Sequence, residues 1–157
     1  MSIIFQPITT TEYQGWFVEH TKSYANDKVR AKQWGEEGAL EQAQKDTQRF
    51  LSDGANTPGH NLCHIVDLEK RVGSIWWTIS ERFGKKVAFI FDISIHESYR
   101  RKGYATKAIK HLQELVHTED VEAISLHVFS FNTGAIALYN KLGFATTSMS
   151  MTLELDK

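Results

Sequence analysis

The sequence predicts a single α/β domain over residues 1–157, an α+β arrangement on a mixed sheet, with elements in the order β-α-α-β-β-β-α-β-α-β. Two observations carry that fold class. Three strand-like runs between residues 61 and 95 are joined by short turns, which is how antiparallel neighbours connect. Strand-like runs at 87–95 and 123–129 then flank a strongly amphipathic helix, which makes a right-handed β-α-β crossover with parallel strands. Composition agrees. With 41% hydrophobic and 24% charged residues, a chain of 157 residues can bury a real core.

The elements follow in order. Residues 3–8 read as a short strand ended by Pro7-Ile8. Thr9 and Glu12 have the spacing of a capping box, and Tyr13, Trp16, Phe17, His20 and Tyr24 follow at helical spacing. Asn26 to Gln33 is polar and reads as either helix or loop. A second helix is expected over Gly35–Leu51, and Ser52–Gly59 is a clear loop. Asn61–Leu68 and Val72–Ile79 read as strands around a charged turn, Glu69-Lys70-Arg71. Phe83-Gly84-Lys85 makes the next turn, and Val87–Ile95 follows. In strict alternation Phe89, Phe91, Ile93 and Ile95 share one face, and Ala88, Ile90, Asp92 and Ser94 the other. Both faces are largely apolar, which marks a central strand.

After Gly103, residues Ala105, Ala108, Ile109, Leu112, Leu115 and Val116 form the apolar stripe of a helix. Ala123–Phe129 is β-branched and apolar, and Thr133–Leu142 is a short helix stopped by Gly143. Thr146–Leu155 alternates and is expected to be a final strand.

Several function classes fall away. A net charge of −1 argues against nucleic acid as a partner. The single cysteine, Cys63, excludes an internal disulfide and a cysteine-based zinc cluster. No apolar run approaches the roughly 18–20 residues of a membrane span. Met1-Ser2-Ile3-Ile4-Phe5 lacks the basic region of a signal peptide, so a cytoplasmic location with no membrane partner is expected. His60 and His64 are four apart, but across a loop–strand junction rather than on a helix, and no metal is expected there.

The stretch from Ile93 to Ala105 carries the chemistry. The strand end Ile93-Ser94-Ile95 runs through a cationic loop, Arg100-Arg101-Lys102-Gly103, into the helix that starts at Tyr104-Ala105-Thr106. The first N–H groups of a helix have no intrahelical partner, and the dipole there favours phosphate. Gly103 permits a tight turn and close backbone approach to an anion. Without a ligand the same loop is merely a basic helix cap.

Downstream, Asn132 follows the 123–129 strand and Tyr139 lies within Ala135-Ile136-Ala137-Leu138-Tyr139-Asn140-Lys141-Leu142-Gly143-Phe144. With R-x-x-G-x-A at 100–105, the strand from 87 and the order of elements, about 60 residues resemble the GNAT superfamily of N-acetyltransferases. The resemblance implies the acyl-CoA N-acyltransferase fold, with the parallel strands 87–95 and 123–129 splayed apart at a bulge. Acetyl-CoA would lie in that cleft, its pantetheine arm along Ile93, Ser94 and Ile95. Its pyrophosphate would take backbone N–H groups from Arg101 to Ala105, with Thr106 as a further contact, Arg100, Arg101 and Lys102 adding charge and Asn132 steadying the cofactor. Tyr139 would be the general acid for the departing thiolate, since a phenol at pKa about 10 stays protonated at neutral pH.

The base that takes the amine's proton has two candidates, His127 and Asp92, with water as the alternative. The acceptor implied is a small-molecule or peptide amine, a homodimer is admitted, and transfer is direct, without a covalent enzyme intermediate. Two rival readings stand beside this one: a catalytically silent CoA-binding sensor of the same fold, and an interaction module whose basic loop only caps a helix. The first 80 residues match the family only in element order.

Overall fold

A computed structural model describes residues 2–156 of the chain, leaving Met1 and Lys157 outside. Five strands form one sheet in the order β1-β2-β3-β4-β5. They are β1 (Ile3–Pro7), β2 (His60–Asp67), β3 (Lys70–Arg82), β4 (Lys85–Ile95) and β5 (Ala123–Leu126). The first four pair antiparallel; β5 joins β4 in parallel, as the crossover requires. Helices α1 (Thr10–Arg30) and α2 (Ala39–Phe50) precede β2 in the chain. Helix α3 (Tyr104–His117) makes the crossover and α4 (Thr133–Leu142) follows β5. Among the described residues no helix is long and apolar enough to cross a membrane.

The capping box forms as spelled. Glu12 N–H donates to Thr9 Oγ1 at 3.3 Å, and Thr9 N–H donates to Glu12 Oε1 at 3.0 Å. The Glu12 carboxylate also lies 2.6 Å from Arg71 Nη1 on β3 and 3.2 Å from His64 Nε2 on β2. One side chain therefore starts α1 and pins it to the sheet. The polar stretch after Asn26 is helical as far as Arg30, and α2 starts at Ala39 rather than Gly35. Small side chains let these two helices meet closely: Ala25, Ala39 and Ala43 are buried together. Thr21 and Thr47 are buried beside them, and each hydroxyl donates to the carbonyl one turn back, so neither is left unpaired.

Both hairpin turns are two residues long. Asp67 pairs with Lys70, so the first turn is Leu68-Glu69; the expected Glu69-Lys70-Arg71 turn is shifted because Lys70 and Arg71 already belong to β3. Phe83 and Gly84, at φ 53° and 76°, join β3 to β4. Positive φ at both central residues matches the right-handed strand twist.

Two bulges break the alternation. In β3, Val72 is extra, because Ile65 pairs with Gly73 and Val66 with Arg71. In β4, Phe91 is extra, because Trp77 pairs with Ile90 and Trp76 with Asp92. The expected facing of β4 is therefore wrong beyond Ile90. Ala88 and Ile90 face the α3 side, and past the bulge Ile93 and Ile95 join them rather than Phe91. Phe91 packs on Trp76 at 4.5 Å, stacked, and Asp92 reaches α1. One inserted residue reverses the period-two pattern for everything after it.

The core follows this facing. Against α3 it holds Ile65, Val72, Ile75, Trp77, Ala88, Ile90, Ala108, Leu112 and Val116. On the α1 side it holds Ile8, Leu51, Leu62 and Trp76. Tyr104, at the start of α3, is buried in the first cluster, whereas Leu115 of the expected stripe is exposed.

The final strand expected over Thr146–Leu155 does not form; residues 145–156 pair with no strand. Alternation specifies which side chains share a face, but a strand exists only where a neighbour supplies hydrogen bonds.

Two stability predictions arise here. A Cβ on Gly73 would stand 2.1 Å from the Ser94 carbonyl oxygen and 3.0 Å from Ile95 Cα, so β3 and β4 could not keep their spacing. Gly73→Ala is expected to destabilise by about 1–3 kcal/mol in denaturant unfolding. The Glu12 carboxyl is held down from 4.5 to about 2, first by the Thr9 N–H and then by His64. Its contribution is complete above the unfolded value of 4.5 and is lost as pH falls through about 2. The Tm difference between the native chain and Glu12→Gln is therefore expected to be greatest above pH 4.5 and to shrink toward pH 2.

Candidate functional site

The bulge at Phe91 coincides with the end of strand pairing. β4 and β5 are paired only from Val87↔Ala123 to Ile90↔Leu126. Beyond that, β4 runs on to Ile95, while residues 127–131 leave the sheet. The expected strand 123–129 thus stops three residues early, because a bulged β4 no longer presents a matching edge.

A cleft of about 510 Å³ occupies the gap. Ile93, Ser94 and Ile95 of β4 line it, opposite Asn132, Thr133 and Gly134 at the start of α4. Asp27, Arg30, Arg100 and Phe131 complete the wall, with the Arg30 guanidinium 4.2 Å from the Phe131 ring centre. Five residues singled out in the sequence, Ile93, Ser94, Ile95, Arg100 and Asn132, are therefore brought to one place. Arg100 Nε donates to the Ile95 carbonyl at 2.9 Å, which fixes a cation at the end of β4.

The cationic loop leads from this cleft into α3. Arg101 adopts φ 62° and Gly103 φ 84°, two left-handed residues that turn the chain sharply into the helix. Gly103 is the N-cap and gives α3 no side-chain cap; the first helical bond runs from Lys107 N–H to the Gly103 carbonyl at 3.1 Å. The N–H groups of Tyr104, Ala105 and Thr106 are thus left for an anion. Arg101 and Lys102 are exposed beside them. The Tyr104 side chain itself turns inward, and its hydroxyl donates to Asp67 Oδ2 at 2.7 Å, tying the helix start to the β2–β3 hairpin. Asn132 has a structural task as well: its Oδ1 accepts from Ala135 N–H at 3.3 Å and caps α4.

The candidate acid–base residues fall into two groups. Asp92 Oδ2 lies 3.7 Å from His20 Nδ1 on α1. His20 stacks on Trp16 at 4.7 Å and faces Tyr24 at 6.1 Å, in a row of rings along one helix face. Burial raises the Tyr139 phenol above its usual value of 10, and the Asp92 charge raises it further. Burial, with Asp92, also raises the Asp27 carboxyl. Asp92 thus faces His20 directly, and its charge acts on Asp27 and Tyr139. His127 stands apart, exposed, 4.9 Å from Phe129; burial of part of its ring, then Lys28, lowers its pKa.

His20 and Asp27 were not singled out by sequence reasoning. The signal was present: His20, Tyr24 and Asp27 recur at helical spacing along an otherwise aromatic stripe. His60 and His64 do not meet. His60 Nδ1 accepts from Trp76 Nε1 at 2.9 Å, and His64 faces Glu12. Among the described residues no group of three metal-ligating side chains gathers.

Comparison with known proteins gives a consistent picture. The model of the Acetyltransferase (GNAT) family matches residues 19–144. An uncharacterized N-acetyltransferase of Bacillus subtilis strain 168, YycN, is 34% identical over 99% of this chain and 100% of its own length. A second protein of that organism, the uncharacterized N-acetyltransferase YdgE, is 27% identical over 99% of both chains. The crystal structure of the putative acetyltransferase YycN superposes with a TM-score of 0.93, covering 99% of this chain and 100% of that one.

Proposed function

The chain belongs to the GNAT acetyltransferase family, and we propose that it transfers the acetyl group of acetyl-CoA to a primary amine by direct attack in a ternary complex. The observation that carries this reading is the open edge of β4 beyond Ile90, which leads into the uncapped start of α3. When bound, acetyl-CoA supplies the thioester. The residues present fit its parts. Peptide groups of Ile93, Ser94 and Ile95 suit the amides of the pantetheine arm. The N–H groups from Arg101 to Thr106, with the charges of Arg100, Arg101 and Lys102, suit the pyrophosphate. Asn132 keeps its amide N–H groups for the cofactor while its oxygen caps α4.

Tyr139 holds the proton for the departing thiolate. With its pKa raised above 10, the phenol is protonated throughout the neutral range. The incoming amine, with a free pKa near 10.4, arrives charged and must lose a proton. The Asp92 carboxylate faces α1, and a carboxylate there attracts a cationic amine. His20 accepts the proton, with the Asp92 carboxylate 3.7 Å from its Nδ1 to orient the ring. His127 is the second candidate base: its lowered pKa keeps it neutral, but its neighbours are Phe129 and Lys28 rather than the Asp92 group. Burial pushes the Cys63 thiol up to about 11, which supports direct transfer over a covalent enzyme intermediate. The acceptor is a small-molecule or peptide amine, and the reaction is assigned to the cytoplasm. The matched family and the full-length relatives are named for acetyl transfer, which gives the silent sensor no support.

Thermal shift with acetyl-CoA and with CoA, followed by thiol release on a panel of amines, tests the reading. A shift with thiol release supports it; no shift with either species discards it. Tyr139→Phe is expected to lower kcat about 100-fold or more while acetyl-CoA affinity stays within about twofold. Since both influences on Tyr139 raise its pKa, kcat should show no alkaline loss below about pH 10 in steady-state profiles. His20→Ala is expected to lower kcat about 100-fold; such a loss in His127→Ala with little effect in His20→Ala would move the role to His127. Ala105→Glu should weaken acetyl-CoA binding about tenfold in calorimetry yet leave the free protein's Tm unchanged or higher, because a carboxylate suits an empty helix N-terminus and repels phosphate.

A further inference from the structure

Residues 148–155 alternate without a break: Ser148, Ser150, Thr152 and Glu154 are polar, while Met149, Met151, Leu153 and Leu155 are apolar. All four apolar side chains are exposed, at 78%, 90%, 84% and 80%. Such a pattern describes a strand with one face meant for burial. The same chain carries a place for such a strand. β5 ends the sheet, and among the described residues its outer edge has no partner. None of its four residues is fully buried, although Val87, Ala88 and Ile90 on the adjoining strand are. α4, which follows β5, likewise has no fully buried residue, despite Ile136, Leu138 and Leu142. An open edge and an under-covered helix mark one flank from which a layer is missing.

The exit from α4 decides whose strand supplies it. Gly143, at φ 100°, turns the chain, and Phe144 is anchored by its N–H bond to the Tyr139 carbonyl at 3.0 Å. The Phe144 and Tyr139 rings lie 5.5 Å apart. The anchored exit carries the segment past the end of α1, where Glu154 stands 3.6 Å from Lys32. Had the segment turned onto its own sheet, its apolar face would be covered. We propose that residues 148–155 of one copy pair with the free edge of β5 in a second copy, and that the exchange is mutual, closing a two-fold dimer. Donor and acceptor lie on the same chain, so two reciprocal additions use both donor strands and both β5 edges, and the assembly closes at two copies. Ala145–Thr147 is the hinge. The partner's strand would also back the segment that leads from β5 to Asn132 and α4, and so steady the helix that carries Tyr139.

Light scattering on the eluting full chain is expected to give twice the 17.9 kDa monomer mass. The double variant Met151→Asp with Leu153→Lys should elute as a folded monomer by circular dichroism, with dimer affinity weakened about 100-fold or more. Hydrogen exchange of the native chain supplies the second measurement. Residues 148–155 and 123–126 should be protected at high concentration and should lose protection together on dilution. A monomeric full chain overturns the proposal. So does a dimer that survives the double variant in folded form, or protection of 148–155 that does not change with concentration, which would place the strand on its own sheet.

Discussion

The extra residue at Phe91 is the constraint on which the remaining geometry depends. It lets the aromatic ring of Phe91 pack on Trp76 and turns the following residue, Asp92, toward α1 instead of α3. It also ends the pairing of β4 with β5 at Ile90↔Leu126. A cleft between two parallel strands, an acidic group facing α1 and a length of β4 with a free edge are thus three consequences of one insertion. Bulges are suited to this work because they re-aim side chains and close off pairing without breaking the strand.

The parts that surround the bulge hold it in place. Gly73 allows β3 to approach Ser94 and Ile95 past it, and His96 N–H donates to the Val72 carbonyl at 2.8 Å, joining the second bulge to the end of β4. From there the chain can turn only through Arg101 and Gly103, which deliver α3 with its first N–H groups free. On the other side, Glu12 anchors α1 to β2 and β3, so that His20 faces Asp92. The proposed donor cleft and the proposed acid–base group are therefore positioned by the sheet, the arrangement that lets a site be preorganised.

Much of this was legible in the residues. The capping box, the helix from Tyr104, the helix from Thr133 and the tight cationic turn before α3 were spelled by local rules that hold without tertiary context. That Ile93–Ile95, Arg100 and Asn132 line one cleft was legible because they belong to a recognisable run of motifs. The facing of β4 was not, because an inserted residue leaves no mark in a stretch where both faces are apolar. His20 was hidden for the same kind of reason: an imidazole in a row of rings reads as packing until the strand opposite is known to present a carboxylate. The last strand shows the opposite case: alternation is present, but among the described residues no strand of its own chain pairs with it.

Hydrogen exchange at residues 91–95 tests most directly whether the bulge builds the donor cleft. With acetyl-CoA added, amides in 91–95 and 101–106 should gain protection, while those in Val87–Ile90, already paired with β5, should stay unchanged. Binding that leaves 91–95 unprotected would contradict the role given to the open edge of β4.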